Sequence, residues 1–252
     1  MKKRVSKVKK VKTSKKIKAN DARVSSGIPG FDSMIEGGFE NNSINLIVGG
    51  SGSSKTIFAM QFLIEGIKKG DKVLYITFEE KRDVLYRNMK EFGWDLETLE
   101  KEGKFVFLEY SPEKVKVMLE EGGGNIESII LKNKIARLVI DSVSSFALMF
   151  EEELERREAA LSLFDVIRKW NCTSILTLQE EPGLRNGGTT SLEFEADSII
   201  LLYFSRIQDK RERFIEVLKM RGTKHSTEIH EFEISHKGVE VKNRIAKRGS
   251  FY

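Results

Sequence analysis

The stretch Gly49-Gly50-Ser51-Gly52-Ser53-Ser54-Lys55-Thr56 decides how this chain is read. The compact apolar run from Ser43 to Val48 precedes it, as expected of a strand covered on both faces. Ile57, Met60, Leu63, Ile64 and Ile67 follow at helical spacing. A strand, a glycine-rich turn and a helix in immediate succession is the setting of a phosphate-binding loop. Backbone N–H groups and the positive helix end cradle a β-phosphate there, so Gly50, Ser51, Gly52, Ser53, Ser54, Lys55, Thr56 and Ile57 form the expected nucleotide contact. Lys55 would reach the β and γ oxygens, and the Thr56 hydroxyl would ligate Mg²⁺. Ser54 stands where the motif has its second required glycine. A Cβ there crowds the turn or the phosphate, and serine is the least damaging choice, so binding is expected to survive in weakened form.

Outward from that loop, strand and helix alternate. Lys72 to Phe78 reads as a strand, 83–92 as a helix, Lys104 to Leu108 as a strand, and 114–133 as a helix broken at Gly122 to Gly124. Arg137 to Asp141, a long helix inside 151–170 and the strand Thr173 to Gln179 continue the series. Three further β-like stretches, 197–204, 212–219 and 229–234, lie between charged turns. The predicted fold is α/β: a mainly parallel central sheet with helices on both faces and partly antiparallel C-terminal strands. One domain is expected over 23–241, between a basic tail at 1–22 and a C-terminal tail at 242–252.

Parallel sheets place their ligands at the carboxyl ends of strands, and three further groups fall there. Leu138-Val139-Ile140-Asp141 is an apolar strand ending in a carboxylate, suited to holding the Mg²⁺ shell through water. Ser142 either assists or caps the strand. Glu79 and Glu80 end another strand, and side-chain alternation lets only one face a nucleotide. Glu79 is read as the base that polarises water, with Glu80 orienting it or pairing with a cation. Gln179 ends the strand after that of Asp141, where its amide could sense a γ-phosphate and relay to the glycine-rich loop at 182–190.

Charge adds a separate feature. Of the net +5 on 252 residues, residues 1–18 contribute +10 and no acid, leaving −5 for the rest. That tail either holds phosphates electrostatically or serves as a solubilising extension. Cys172 is the only cysteine, so an intrachain disulfide and a thiolate metal site are excluded. It reads as a small buried hydrophobe. Apolar runs are strand-sized and the basic N-terminus lacks an apolar segment, so the expectation is a cytoplasmic protein that does not enter a membrane.

Glu79-Glu80, Phe92-Gly93-Trp94-Asp95, Ile140-Asp141-Ser142 and Lys219-Met220-Arg221-Gly222-Thr223-Lys224-His225 together resemble the KaiC family of RecA-superfamily ATPases across about 23–241. The resemblance implies a RecA-like fold, ATP and Mg²⁺ as ligands, and a homo-oligomer, by family habit a hexameric ring. It also implies that Lys219, Met220, Arg221 and His225 reach a neighbour's nucleotide, with Thr223, Ser235 and His236 near its base or sugar. On an extended strand Lys219, Arg221 and His225 would share a face, as a cationic comb laid on a triphosphate. The resemblance further implies that Glu193 and Phe194 stand where family members with kinase activity have a phosphorylated Ser and Thr, so autophosphorylation is not expected by that route. Thr189, Thr190 and Ser191 stand close enough to keep it open to test. The expected activity is slow ATP hydrolysis completed at a subunit interface and used as a switch. Two alternatives stand beside it: a DNA-binding recombination accessory similar to RadA paralogues, using loops 144–157 and 180–192 with the basic tail, and a non-hydrolysing scaffold. Few cations and no aromatic inside loop 180–192 weaken the nucleic-acid reading.

Overall fold

A computed structural model describes residues 23–111, 114, 117, 122–144, 150, 152–180 and 191–246. The basic tail, the whole glycine-rich loop at 182–190 and residues 145–149 lie outside the described residues. The strands are β1 Ile44–Gly49, β2 Lys72–Thr77, β3 Phe105–Glu109, β4 Ile135–Asp141, β5 Thr173–Gln179, β6 Ser198–Ile207, β7 Lys210–Met220, β8 His230–Ser235 and β9 Gly238–Ile245. They form one sheet in the order β3-β2-β4-β5-β1-β6-β7-β8-β9. Pairings from β3 through β6 are parallel, and those from β6 to β9 antiparallel.

The described helices are α1 Phe31–Met34, α2 Lys55–Lys68, α3 Arg82–Lys90, α4 Leu96–Lys101, α5 Gly124–Asn133, α6 Glu153–Lys169 and α7 Ser191–Glu195. Strand alternation sorts the core into two layers. Ile47, Val73, Tyr75, Val139, Ile175 and Ile200 pack with Phe58, Phe62 and Leu63 of α2 on one face. Leu46, Val48, Leu74, Leu138, Ile140 and Leu176 pack with Ile126 of α5 and Leu163 and Phe164 of α6 on the other. Because both faces are covered, β1 is buried at all six positions, which explains its unbroken apolar run.

One expected boundary moves here, and one helix is added to the expected series. The domain does not stop at 241, because β9 continues to Ile245 and pairs it with His230 of β8. The polar run Lys242-Asn243-Arg244 hides this edge strand, whose outer half is solvent-facing. The helix α4 follows an Asp95 cap that accepts from Thr98 N–H at 3.3 Å, a start signal present in the sequence but not used.

At the amino ends of the strands, Arg137 of β4 is almost wholly buried. Its Nε donates to Asp71 at 2.8 Å, and its Nη1 donates to the carbonyls of Ser25 at 2.8 Å and Phe62 at 3.0 Å. Gly66 makes room for it, since a Cβ there would lie 2.5 Å from Arg137 Nε. One cation thereby ties β4, α2 and the segment entering the domain.

Candidate nucleotide site

The carboxyl ends of β1, β2, β4 and β5 share one edge of the sheet, and the residues singled out there are brought together. Gly49 lies beside Gln179 in the β1–β5 register, and Thr77 beside Asp141 in the β2–β4 register. Gly49 is obligatory, because a Cβ would fall 2.4 Å from Ser53 Oγ and 2.5 Å from the Leu202 carbonyl. Ser51 and Gly52 crest the loop exposed, while Ser53 is buried with its Oγ donating to the Gly50 carbonyl at 2.8 Å. The Ser53 side chain thus shapes the loop from inside and is not aimed at a ligand.

Ser54 adopts φ 80°, ψ 24°, the left-handed conformation that glycine tolerates and a Cβ resists. The turn keeps its shape, and the substitution is carried as backbone strain of about 1 kcal/mol. The first helical bond of α2 runs from Phe58 N–H to the Ser54 carbonyl at 3.0 Å, so the N–H groups of Lys55, Thr56 and Ile57 point out of the helix end. Ile57 presents only this backbone group to the loop, its side chain being packed against the core. Lys55 Nζ folds over the loop and donates to the carbonyls of Gly49 at 2.8 Å and Gly50 at 2.9 Å.

Asp141 is the hub beneath the loop. Its Oδ2 accepts from Thr56 Oγ1 at 2.7 Å and from the Tyr75 hydroxyl at 2.8 Å, and its Oδ1 accepts from Thr177 Oγ1. By giving its proton to Asp141, Thr56 turns its oxygen lone pairs away from the carboxylate and toward the loop. A hydroxyl and a carboxylate in contact are hard oxygen donors, which fit Mg²⁺. Among the described residues no group of three His, Cys, Asp or Glu could cage a metal by itself, as befits an ion that draws its other ligands from phosphate and water. Tyr75 is wholly buried and its hydroxyl is held well above the usual tyrosine range, by burial first and by the Asp141 charge second.

β2 ends at Thr77, so Glu79 and Glu80 lie just beyond the strand rather than at its tip, and strand alternation does not sort them; they differ in burial. Glu79 is exposed and accepts from Ser142 Oγ at 3.3 Å. Glu80 is half-buried and accepts from Asn88 Nδ2 of α3 at 3.4 Å. Burial pushes the Glu80 carboxyl up, and the nearby Asp141 charge adds to this. Gln179 is exposed at the strand tip, its N–H bonded to Ser144 Oγ at 2.6 Å.

Two residues at the loop were missed. Phe204 of β6 would touch a Cβ placed on Gly52 at 3.3 Å, and the Arg213 guanidinium lies 4.1 Å from the Phe204 ring centroid. Arg213 Nη2 donates to the Gly52 carbonyl at 3.4 Å, and burial lowers its pKa. Only the antiparallel return of β7, which sets Phe204 opposite Arg213, exposes this pair.

The remaining expected residues lie elsewhere. Since β7 runs against β6, its Arg213 end meets the loop, and Lys219, opposite Ile199, lies about 20 Å away at the other edge of the sheet. The comb on one extended strand is not formed. β7 ends at Met220, whose side chain is buried in the core, and Gly222 turns the chain at φ 65°. Lys219 Nζ donates to the carbonyls of Glu193 at 3.0 Å and Phe194 at 3.2 Å, and Arg221 Nη2 to that of Phe194 at 2.7 Å. Arg168 Nη2 donates to the Glu195 carbonyl at 2.6 Å, so three cations cap the end of α7. Thr223 and His225 follow in irregular backbone, with His225 Nδ1 2.9 Å from the Ser226 carbonyl. Ser235 shapes the β8–β9 turn by accepting from Lys237 N–H at 3.1 Å, and His236 is exposed at its tip. Glu193 is buried and Phe194 exposed, while Thr189 and Thr190 lie outside the described residues.

A sheet of this order with a phosphate loop after β1 and a carboxylate ending β4 defines a P-loop nucleotide-binding protein of RecA-like fold. The family model described as "ATPase: KaiC" matches residues 24–245, and the chain belongs to that family. It is 36% identical to the circadian clock protein KaiC3 of Synechocystis over 87% of this chain and 45% of that one, so it spans a little under half of that relative. It is 34% identical to a UPF0273 protein of Pyrococcus furiosus, over 91% of this chain and 98% of the relative. The crystal structure of a KaiC-like protein from Pyrococcus horikoshii superposes with a TM-score of 0.77 at 37% identity, covering 87% of this chain and 98% of that one. Among the described residues no helix is long and apolar enough to cross a membrane.

Proposed function

We propose that this chain is a slow, Mg²⁺-dependent ATPase whose site is completed by cations of a neighbouring copy, with nucleotide state serving as a conformational switch. The observation that supports this reading is that two groups of residues lie at opposite edges of one sheet. The loop, the Thr56–Asp141 pair and the two glutamates sit at one edge, and Lys219 and Arg221 at the other. Two different patches on one chain suit a heterologous interface, the kind that closes into rings.

The loop N–H groups and Lys55 bind the triphosphate, and Arg213 faces its outer side. Mg²⁺, when bound, neutralises developing charge on the β and γ oxygens. Glu80 suits the base role better than Glu79, because its raised affinity for a proton favours taking one from the attacking water. As the water oxygen bonds to the γ-phosphorus, that proton passes to Glu80 and the bridging bond to ADP breaks. Glu79, joined to Ser142, would orient the water. Delivering Lys219 and Arg221 to a neighbour's phosphates requires them to release the carbonyls of α7, which follows the loop after Gln179. This exchange supports the switch.

Complementation tests it. Lys55→Ala alone should lack turnover, and Lys219→Ala/Arg221→Ala alone should nearly lack it. Mixed copies should recover activity, because intact loops then meet intact cations. Failure of the mixture to recover, with wild type active, would remove the neighbour from the mechanism. No binding and no turnover by wild type at any protein concentration would remove the ATPase reading itself.

A further inference from the structure

We propose that Tyr75, assisted by Thr177, is a positioning residue that sets the metal preference of the site by confining Asp141 to contact through a bound water. This rests on the nucleotide-site reading above. An ionised carboxylate offers about four lone-pair positions, two on each oxygen. Thr56 and Tyr75 occupy both on Oδ2, and Thr177 occupies one on Oδ1. The single position left is on Oδ1, whereas Oδ2, the oxygen in contact with the Thr56 hydroxyl, has none with which to ligate the metal that Thr56 would hold, so the carboxylate meets that metal through a water.

Confinement matters because the candidate ions differ in how readily they shed water. Mg²⁺ dehydrates reluctantly and keeps several waters, whereas Ca²⁺ accepts more protein oxygens in flexible geometry. A carboxylate that meets the metal only through water therefore favours the ion that retains its shell. The phenol is locked in this role by its surroundings. Tyr75 is fully buried, and its ring stacks on Phe107 with centroids 6.1 Å apart and planes 10° from parallel. It also occupies a strand paired directly with β4, which fixes the backbone from which the phenol reaches Asp141.

The test is Tyr75→Phe, which removes one hydroxyl and keeps the ring. Metal binding is measured directly on full-length protein holding a non-hydrolysable ATP analogue, by Mn²⁺ spin-resonance titration with Mg²⁺ and Ca²⁺ as competitors. The freed lone pair should raise affinity for Mn²⁺ and Ca²⁺ relative to Mg²⁺ by about fivefold or more, with metal-free analogue binding unchanged. Thr177→Val should shift the ratio in the same direction and stands in if the first variant does not fold. Wild-type selectivity retained in folded variants would overturn this inference while leaving the site reading intact. Absence of metal-dependent analogue binding in wild type would overturn both.

Discussion

β4 carries a charged side chain at each end, and the two are held in opposite ways. Arg137 and Asp141 face the same side of the strand, four residues apart. Arg137 is fixed by two backbone carbonyls and by the side-chain carboxylate of Asp71. Asp141 is surrounded by three hydroxyls from β2, β5 and α2, all of them neutral donors. The first arrangement joins segments of chain through an opposite charge and carbonyls, and the second holds a carboxylate in place with neutral donors only. A charge on this strand thus serves architecture where an opposite charge meets it and chemistry where only hydroxyls do.

Exchanging the two effects would break the comparison. Asp141→Asn keeps the shape and should lower turnover about a hundredfold, as expected when a group organising a metal shell is lost. Its unfolding free energy should change by no more than about 1 kcal/mol, since the hydroxyls can turn to suit an amide. Arg137→Met should do the reverse. It strips the Ser25 and Phe62 carbonyls of a donor and leaves Asp71 unpaired, at a cost of about 3 kcal/mol, with nucleotide affinity measured below the melting transition unaltered. Denaturant unfolding and turnover on both proteins decide it. Equal losses of stability would contradict the division.

A smaller effect concerns the loop above Asp141. Ser54→Gly removes the Cβ from a left-handed residue, which should stabilise the native turn by about 0.5 to 1 kcal/mol after the entropy of the added glycine is allowed for. Turnover should rise with it if strain weakens phosphate binding. Unchanged nucleotide affinity would show that the loop already binds as a glycine loop does.

What the sequence reveals follows the same line between backbone and side-chain register. Strands covered on both faces leave apolar runs, and a helix after a glycine turn leaves its period, so the loop, β1, α2 and the carboxyl-end position of Asp141 can be read directly. Tyr75 and Thr177 could not be found that way, because each lies within an apolar run and becomes a donor only when register sets β2 and β5 beside β4. Arg213 was hidden for the same reason, needing the antiparallel return of β7. The comb failed on a signal that was present: Gly222 sits between Arg221 and Thr223, and its positive φ ends the extended backbone that the spacing assumed.

The smallest effect separates the two glutamates. Glu80 has its carboxyl raised by burial, so the folded chain binds this proton more tightly than the unfolded chain does. Below the ordinary glutamate value both states are protonated and no penalty exists. As pH climbs through the unfolded and then the folded value, ionising Glu80 subtracts stability, and the loss persists to neutral pH. Glu80→Gln should therefore raise the melting temperature slightly at neutral pH and leave it unaltered in acid. The acid limb of the turnover profile should lie above the ordinary glutamate range in wild type, and the residual activity of Glu80→Gln should lose that limb. If Glu79→Gln abolishes the limb instead, the base is Glu79, and burial beside Asp141 does not choose between the two carboxylates.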